Sequence, residues 1–286
     1  MKHSIMIGVG PRAFCIGSDW LRPVEALAGL YAVYPAPADI PHFTVRLEAE
    51  RWYRRFLRPS VSIRGDYMLP EALPVSLAHG LIAAEMAMNL QMALGERRFL
   101  LLHAATVEKD GKALILTGES GSGKSTLSAL LMAKGWRFMG DEFALIDPTS
   151  GMAHPFPRPV SLKNEAIAVM EAILPKAQFG PLLRDTPKGD IRHLVPDAKA
   201  IAAMREPAMP AAILFPSFGL PKATRTVGQG EVFVRLTQAS TNYTALGERG
   251  FDTLTTLVNG VPAHAIDYPD TATGLKLVEQ IWRELA

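Results

Sequence analysis

The chain has 286 residues, 48% of them hydrophobic, a formal net charge of +2 and one cysteine. That apolar share is ordinary for a folded protein and excludes a chain too polar to form a core. The length admits one large domain or two modest ones. Cys15 alone excludes an internal disulfide framework, suits a reducing cytoplasm, and reads as a packed core residue.

From the N-terminus, Ile5 to Val9 reads as a strand. Gly10-Pro11-Arg12 cuts that run too short for a signal-peptide core. Leu21, Val24, Leu27, Leu30 and Tyr31 fall at helical spacing, which predicts a helix from Trp20 to Tyr34 stopped by Pro35. His42 to Glu48 alternates apolar and polar residues, the pattern of a half-exposed strand. Arg51 to Arg58 interleaves arginines with Trp52, Tyr53 and Phe56. No wider basic field supports it, so it reads as a solvated face with its aromatics packed behind, and no nucleic-acid partner is expected. Leu81 to Leu94 predicts a helix with methionines as core filler. Glu85 and Asn89 interrupt it, so no segment is expected to cross a membrane, and the protein is expected in the cytoplasm. Together these elements make a small α+β front region, residues 1–98, ahead of a second part, residues 99–286.

The second part opens with Phe99 to Val107, an apolar strand. Asp110-Gly111 is a hairpin signal that folds it back on Ala113 to Thr117. Counting back from that turn sets His103 opposite Leu116 to Gly118. Gly118-Glu119-Ser120-Gly121-Ser122-Gly123-Lys124-Ser125 then matches G-x-x-x-x-G-K-[ST], the Walker A or P-loop pattern, and Thr126 follows it. Its glycines let successive N–H groups turn inward around an anion. Lys124 supplies a mobile charge for the outer phosphates, and the Ser125 hydroxyl a ligand for Mg²⁺. Leu127, Leu130 and Leu131 continue as a helix, which Gly135 ends. Strand, glycine loop and helix are the context in which this motif binds phosphate. Next, Trp136 to Met139 and Phe143 to Ile146 flank Asp141 and Glu142, two carboxylates at a buried turn. One can hold Mg²⁺ and the other can accept the proton of an attacking hydroxyl.

His154 to Pro159 is a proline-set connector. Arg158 or Lys163 beyond it has the charge to meet phosphate or an acceptor, though a spacer role is favoured for such a loop. Glu165 to Leu174 predicts a helix. Thr186 to His193 is polar and glycine-hinged, as suits a lid or a plain surface loop. Strands are predicted at Ala211 to Phe218, Val232 to Leu236 and His264 to Tyr268, and helices at Tyr243 to Val258 and Thr273 to Leu285.

His103, the glycine loop and the acidic pair together resemble the catalytic domain of bacterial HPr kinase/phosphorylase. The histidine precedes the first loop glycine by fifteen positions, and the acidic pair begins seventeen positions after Lys124. Leu-Leu-His-Ala-Ala (residues 101–105) and His-Pro-Phe-Pro-Arg-Pro-Val-Ser-Leu-Lys (residues 154–163) look more like the HPr-kinase-related kinase A group. The resemblance covers roughly residues 99–147. It implies an α/β P-loop kinase core with a mixed sheet, similar to phosphoenolpyruvate carboxykinase, and ATP and Mg²⁺ as cofactors. By position it implies Asp141 as general base, Lys124 on the phosphates, Ser125 and Glu142 on the Mg²⁺ side, and His103 near the transferred phosphate. The analogy also points to homo-oligomers. The family's Asp-Asp pair is Asp-Glu here, Thr126 replaces a family glutamate, and the Glu-Ile-Arg-Gly signature of the bifunctional enzyme is missing.

The expectation is therefore an ATP-dependent serine kinase acting on a peptide or small protein. Two alternatives stand beside it: a small-molecule kinase on the same scaffold, and a nucleotide sensor without catalysis.

Overall fold

Strict alternation builds the first sheet. In the computed structural model, which describes residues 2–37, 40–69 and 72–285, β1 (His3–Val9) and β2 (Arg12–Ser18) pair antiparallel around Gly10. After α1 (Leu21–Leu30), β3 (Phe43–Glu48) returns parallel to β2. Phe43, Val45 and Leu47 of β3 are buried while Arg46 is exposed, the period of two that a half-covered sheet requires. β4 (Ser60–Gly65) and the short β5 (Val75–Ser76) complete a five-stranded sheet in the order β1-β2-β3-β4-β5. α1 and α2 (Gly80–Gly95) pack on it, burying Leu27, Leu30, Ala84, Met88 and Met92. The apolar cluster of this front region continues across residue 98 to Phe99, Leu101, Phe143, Leu145 and Phe156. Gly10 marks how closely the two parts meet: with φ at +52°, a Cβ there would sit 2.0 Å from the Pro155 carbonyl oxygen.

The apolar run from Phe99 to Val107 is not one strand. It divides into β6 (Leu100–Leu102) and β7 (Ala104–Lys109), in different sheets. The break falls at His103, whose N–H donates to the Ala239 carbonyl (2.8 Å). The backbone thus leaves one ladder and enters the other with its donor satisfied. β7 turns through Asp110-Gly111, both at positive φ, into β8 (Lys112–Thr117), with Ala104 paired to Thr117. α3 (Lys124–Ala133), β9 (Arg137–Gly140), β10 (Ala144–Ile146) and β11 (Ala153–His154) follow. β12 (Val160–Lys163), α4 (Glu165–Ile173), β13 (Leu183–Thr186) and β14 (Gly189–Leu194) then form a unit in which the three strands make one sheet. The stretch expected as a lid or loop, Thr186 to His193, is this hairpin's turn and second strand; Gly189 at φ +84° closes the turn.

The chain ends with α5 (Ala198–Ala202), β15 (Met209–Phe218), β16 (Ala223–Thr226), α6 (Gln229–Ala239), α7 (Tyr243–Leu246), α8 (Glu248–Gly260), β17 (Ala263–Tyr268) and α9 (Thr271–Leu285). The central sheet has six strands in the order β16-β17-β15-β8-β7-β9. β8, β15 and β17 are parallel, and the remaining pairings are antiparallel. The fold is therefore mixed α/β, with several sheets.

Other sequence-based expectations change. Val232 to Leu236 belongs to a helix, α6, not a strand. Val232 and Leu236, four apart, are buried while Val234 is 54% exposed, so helical spacing outweighs the β-branched composition. The helix predicted from Tyr243 breaks at Gly247 (φ +60°). Arg51 to Arg58 forms a short 3-10 turn at Trp52–Arg55, but its aromatics do not pack behind it: Trp52 is 83% and Phe56 76% exposed. Cys15 is only half-buried. No helix among the described residues is long and apolar enough to cross a membrane.

Candidate functional site

Three parallel strands point their carboxyl ends the same way, which is where open α/β sheets place ligands. β8 ends in the glycine loop, β15 at Phe218 and β17 at Tyr268. The register aligns Leu116 with Leu214 and Phe218 with Tyr268. In the loop, Gly118, Gly121 and Gly123 adopt φ of +154°, +86° and +94°, conformations that favour glycine. A Cβ on Gly123 would lie 2.5 Å from the Tyr268 hydroxyl oxygen, so both backbone angle and space select glycine there.

Lys124 opens α3 and is buried. Its Nζ donates to the carbonyls of Gly118 (2.7 Å) and Glu119 (2.8 Å), so the ammonium lies against the loop it follows. Burial lowers its pKa, and the nearby Asp141 charge opposes that shift. Lys124 is thus desolvated yet held close to its carboxylate neighbour.

Asp141 and Glu142 occupy the link between β9 and β10, delivered by two buried strands. Asp141 is buried, and its Oδ1 has no hydrogen-bond partner among the described residues. Burial first, and then the Glu142 charge, push its pKa up to about 7; the Ser125 hydroxyl, Lys124 and Lys163 pull the other way. This carboxyl therefore exchanges its proton near neutrality. Glu142 is half-buried and lies 3.8 Å from Nδ1 of His103. That same nitrogen is 3.1 Å from the Glu142 carbonyl. A carbonyl only accepts, which assigns the proton of this contact to Nδ1. The hydroxyl of Thr117 donates to the His103 carbonyl (3.0 Å), tying the histidine to the strand that carries the loop.

These groups face one cavity of about 500 Å³. His103, Ser120, Gly121, Gly123, Lys124, Ser125, Thr126, Asp141 and Glu142 line it, while Gly118, Glu119 and Ser122 do not. Ser122 instead carries a buried hydroxyl, without a partner among the described residues, beside Gly118. The two cations left open by the sequence separate cleanly. Lys163 lines the cavity. Arg158 is buried elsewhere, bonded to the Tyr31 hydroxyl (3.3 Å), paired with Glu85 (3.5 Å) and in contact with Asn89. Sequence reading missed Asn164, Phe218, Tyr268 and Thr271, which also line the site. The ends of the late strands were legible, but not their order in the sheet, and only the order brings Phe218 and Tyr268 beside the loop. A larger cleft of about 1110 Å³, bordered by Val33, Met132, Ile173, Val195 and Arg205, contains none of the predicted site residues. Charged residues line it too, Lys176, Asp197, Arg205 and Glu206, but neither the glycine loop nor the acidic pair reaches it, so size alone does not make it the site.

A family model described as SynChlorMet cassette protein ScmC matches residues 80–206, a stretch that holds the glycine loop, His103 and the acidic pair. Among solved structures, the chain is similar to the Hpr(Ser) kinase/phosphatase from Coxiella burnetii, with 15% identity and a TM-score of 0.29, over 64% of this chain and 98% of that one. Among curated proteins nothing matches.

Proposed function

We propose that the chain is an ATP-dependent kinase that moves the γ-phosphate to a hydroxyl, in the first instance a serine of a peptide or small protein. The observation that carries this reading is Asp141: a buried carboxyl, with one oxygen lacking a partner among the described residues, next to Lys124 and Ser125 of a glycine loop. Burying such a group without a partner costs free energy and is usual where chemistry needs it.

The residues fit the nucleotide and the metal. The positive-φ glycines form a cradle that side chains would fill, and the loop opens a ten-residue helix whose N-terminal dipole favours anions. No cluster of three or more His, Cys, Asp or Glu side chains among the described residues is poised to hold a metal alone. Ser125 and Glu142 would hold Mg²⁺ together with phosphate oxygens, and the ion would neutralise charge on the phosphates.

In the transfer, the acceptor oxygen forms a bond to the γ-phosphorus as the bond to the β-bridging oxygen breaks, and ADP leaves. Asp141 takes the hydroxyl proton at the end of this exchange or during it. Lys124 balances charge on the β- and γ-oxygens, and Lys163, which also lines the cavity, adds a second cation. His103, fixed by Glu142 and Thr117, positions the acidic link.

The test is transfer from γ-labelled ATP with Mg²⁺ to peptides encoded beside this gene, wild type against Asp141→Asn. Label on a serine, reduced about 10²–10⁴-fold in the variant, is expected for loss of a general base. Equal labelling by both proteins would remove Asp141 from the chemistry. Label appearing only on a small hydroxyl compound would replace the peptide acceptor, and binding without any transfer would replace the kinase with a sensor.

A further inference from the structure

The carboxyl-terminal edge of the parallel strands offers more than phosphate contacts. Phe218 ends β15 directly beside the glycine loop: a Cβ on Gly123 would touch the Phe218 Cβ at 3.3 Å. Phe218 is 49% exposed, although β15 is buried over most of its length. The Tyr268 ring meets it edge-on, at 5.8 Å between centroids and 64° between planes. Tyr268 is itself only 2% exposed, held under the loop with its hydroxyl 3.5 Å from the Ser122 carbonyl. The Gly219 N–H donates to the Tyr268 carbonyl (2.9 Å), locking the two strand ends together just past Phe218. Both rings line the cavity that holds Lys124 and Asp141. An exposed aromatic on a rigid strand end, in T-shaped contact with one buried ring, keeps exposed ring surface for stacking.

We propose that Phe218 is the nucleobase platform of this site, with Tyr268 as the brace that sets its ring. This rests on the nucleotide reading above and deepens it, since it assigns the end of the cavity that receives the base. The strand order explains why. Phe218 and Tyr268 flank the glycine loop on the β15 and β17 side, whereas His103 and the acidic link lie on the β7 and β9 side. The loop stands between them, so a nucleotide with its phosphates in the cradle extends its base toward Phe218 and its γ-phosphate toward Asp141. Stacking on a ring face tolerates any base, so Phe218 adds affinity more than choice among bases.

The experiment compares two probes with the full chain in Mg²⁺: ATP and inorganic tripolyphosphate, which has the phosphates and no base. Binding is read by calorimetry, without catalysis. Wild type is expected to bind ATP at least tenfold tighter than tripolyphosphate. Phe218→Ala should weaken ATP about tenfold and leave tripolyphosphate within twofold, and Phe218→Trp should restore ATP binding. Equal loss for both probes in Phe218→Ala would make the residue a support of the loop and overturn the platform. Unchanged ATP binding would also overturn it, placing the base elsewhere. A wild type that binds tripolyphosphate and ATP equally would reject the base subsite while sparing the phosphate cradle. A wild type that binds neither would reject the nucleotide reading as well.

Discussion

Two buried polar clusters in this molecule use similar residues to opposite ends. In one, Glu85 of α2 meets His193 of β14 and Arg158 of the proline-set connector, and Arg158 also bonds the Tyr31 hydroxyl. Burial would raise the Glu85 carboxyl, but His193 and Arg158 hold it below its ordinary value. Burial pushes Tyr31 up to about 12, so its hydroxyl stays protonated. Of that cluster only His193 Nδ1 lacks a partner among the described residues. In the other cluster, Asp141 sits beside Lys124 with a free oxygen, and burial wins: its carboxyl rises to about 7. The first cluster joins the front region to the β12-β14-β13 sheet, with each charge neutralised by a neighbour. The second leaves a buried carboxyl oxygen without a partner among the described residues. Pairing of the buried carboxylate, more than its identity, separates this structural joint from the candidate site.

That contrast can be broken from either side. His193→Ala would leave Glu85 buried with Arg158 as its remaining cation. It should cost about 3 kcal/mol in denaturant unfolding while leaving ATP affinity within twofold. A loss of nucleotide binding there would mean the joint and the site are coupled. Lys124→Met attacks the other cluster: ATP affinity should fall about 10–100-fold, the scale of a lost charge-assisted hydrogen bond. Gly123→Ala combines a positive φ with a close contact to Tyr268, and should cost about 1–3 kcal/mol of stability. Its thermal midpoint, set against Gly111→Ala where the added Cβ meets nothing within 4 Å, separates the steric part from the backbone part. The smallest effect belongs to the surface. Trp52→Ser, at a residue 83% exposed, should change stability by less than about 0.5 kcal/mol and nucleotide affinity not at all.

Much of the candidate site's placement was legible because its parts are local. The glycine loop, the helix after it and the Asp110-Gly111 hairpin are each set by neighbouring residues, and the hairpin arithmetic alone brought His103 near the loop. The acidic link was legible from the apolar runs on both sides of it. What stayed hidden depends on distant partners. The division of Phe99 to Val107 into two strands follows from a backbone bond to Ala239, which no local pattern announces. Val232 to Leu236 misled because a five-residue window rich in β-branched and aromatic residues outweighs the spacing of Val232 and Leu236. Arg158 and Lys163 looked alike as cations near prolines. Only the tertiary neighbours, Glu85 for one and the cavity for the other, tell them apart.

The measurement that reaches the central claim is the pH dependence of unfolding for wild type and Asp141→Asn. The folded Asp141 carboxyl binds its proton more tightly than the unfolded one, whose ordinary value is near 3.8. Its contribution to stability is therefore fully present below about pH 4, is lost as pH rises toward 7, and stays lost above that. Asparagine carries no such charge. Asp141→Asn is expected to be the more stable protein at pH 8, by about 2–4 kcal/mol, with the difference closing toward pH 4. A variant no more stable than wild type at pH 8, with no pH-dependent gap between the two, would contradict it: Asp141 would then be an ordinary satisfied carboxylate and not the poised base of this site.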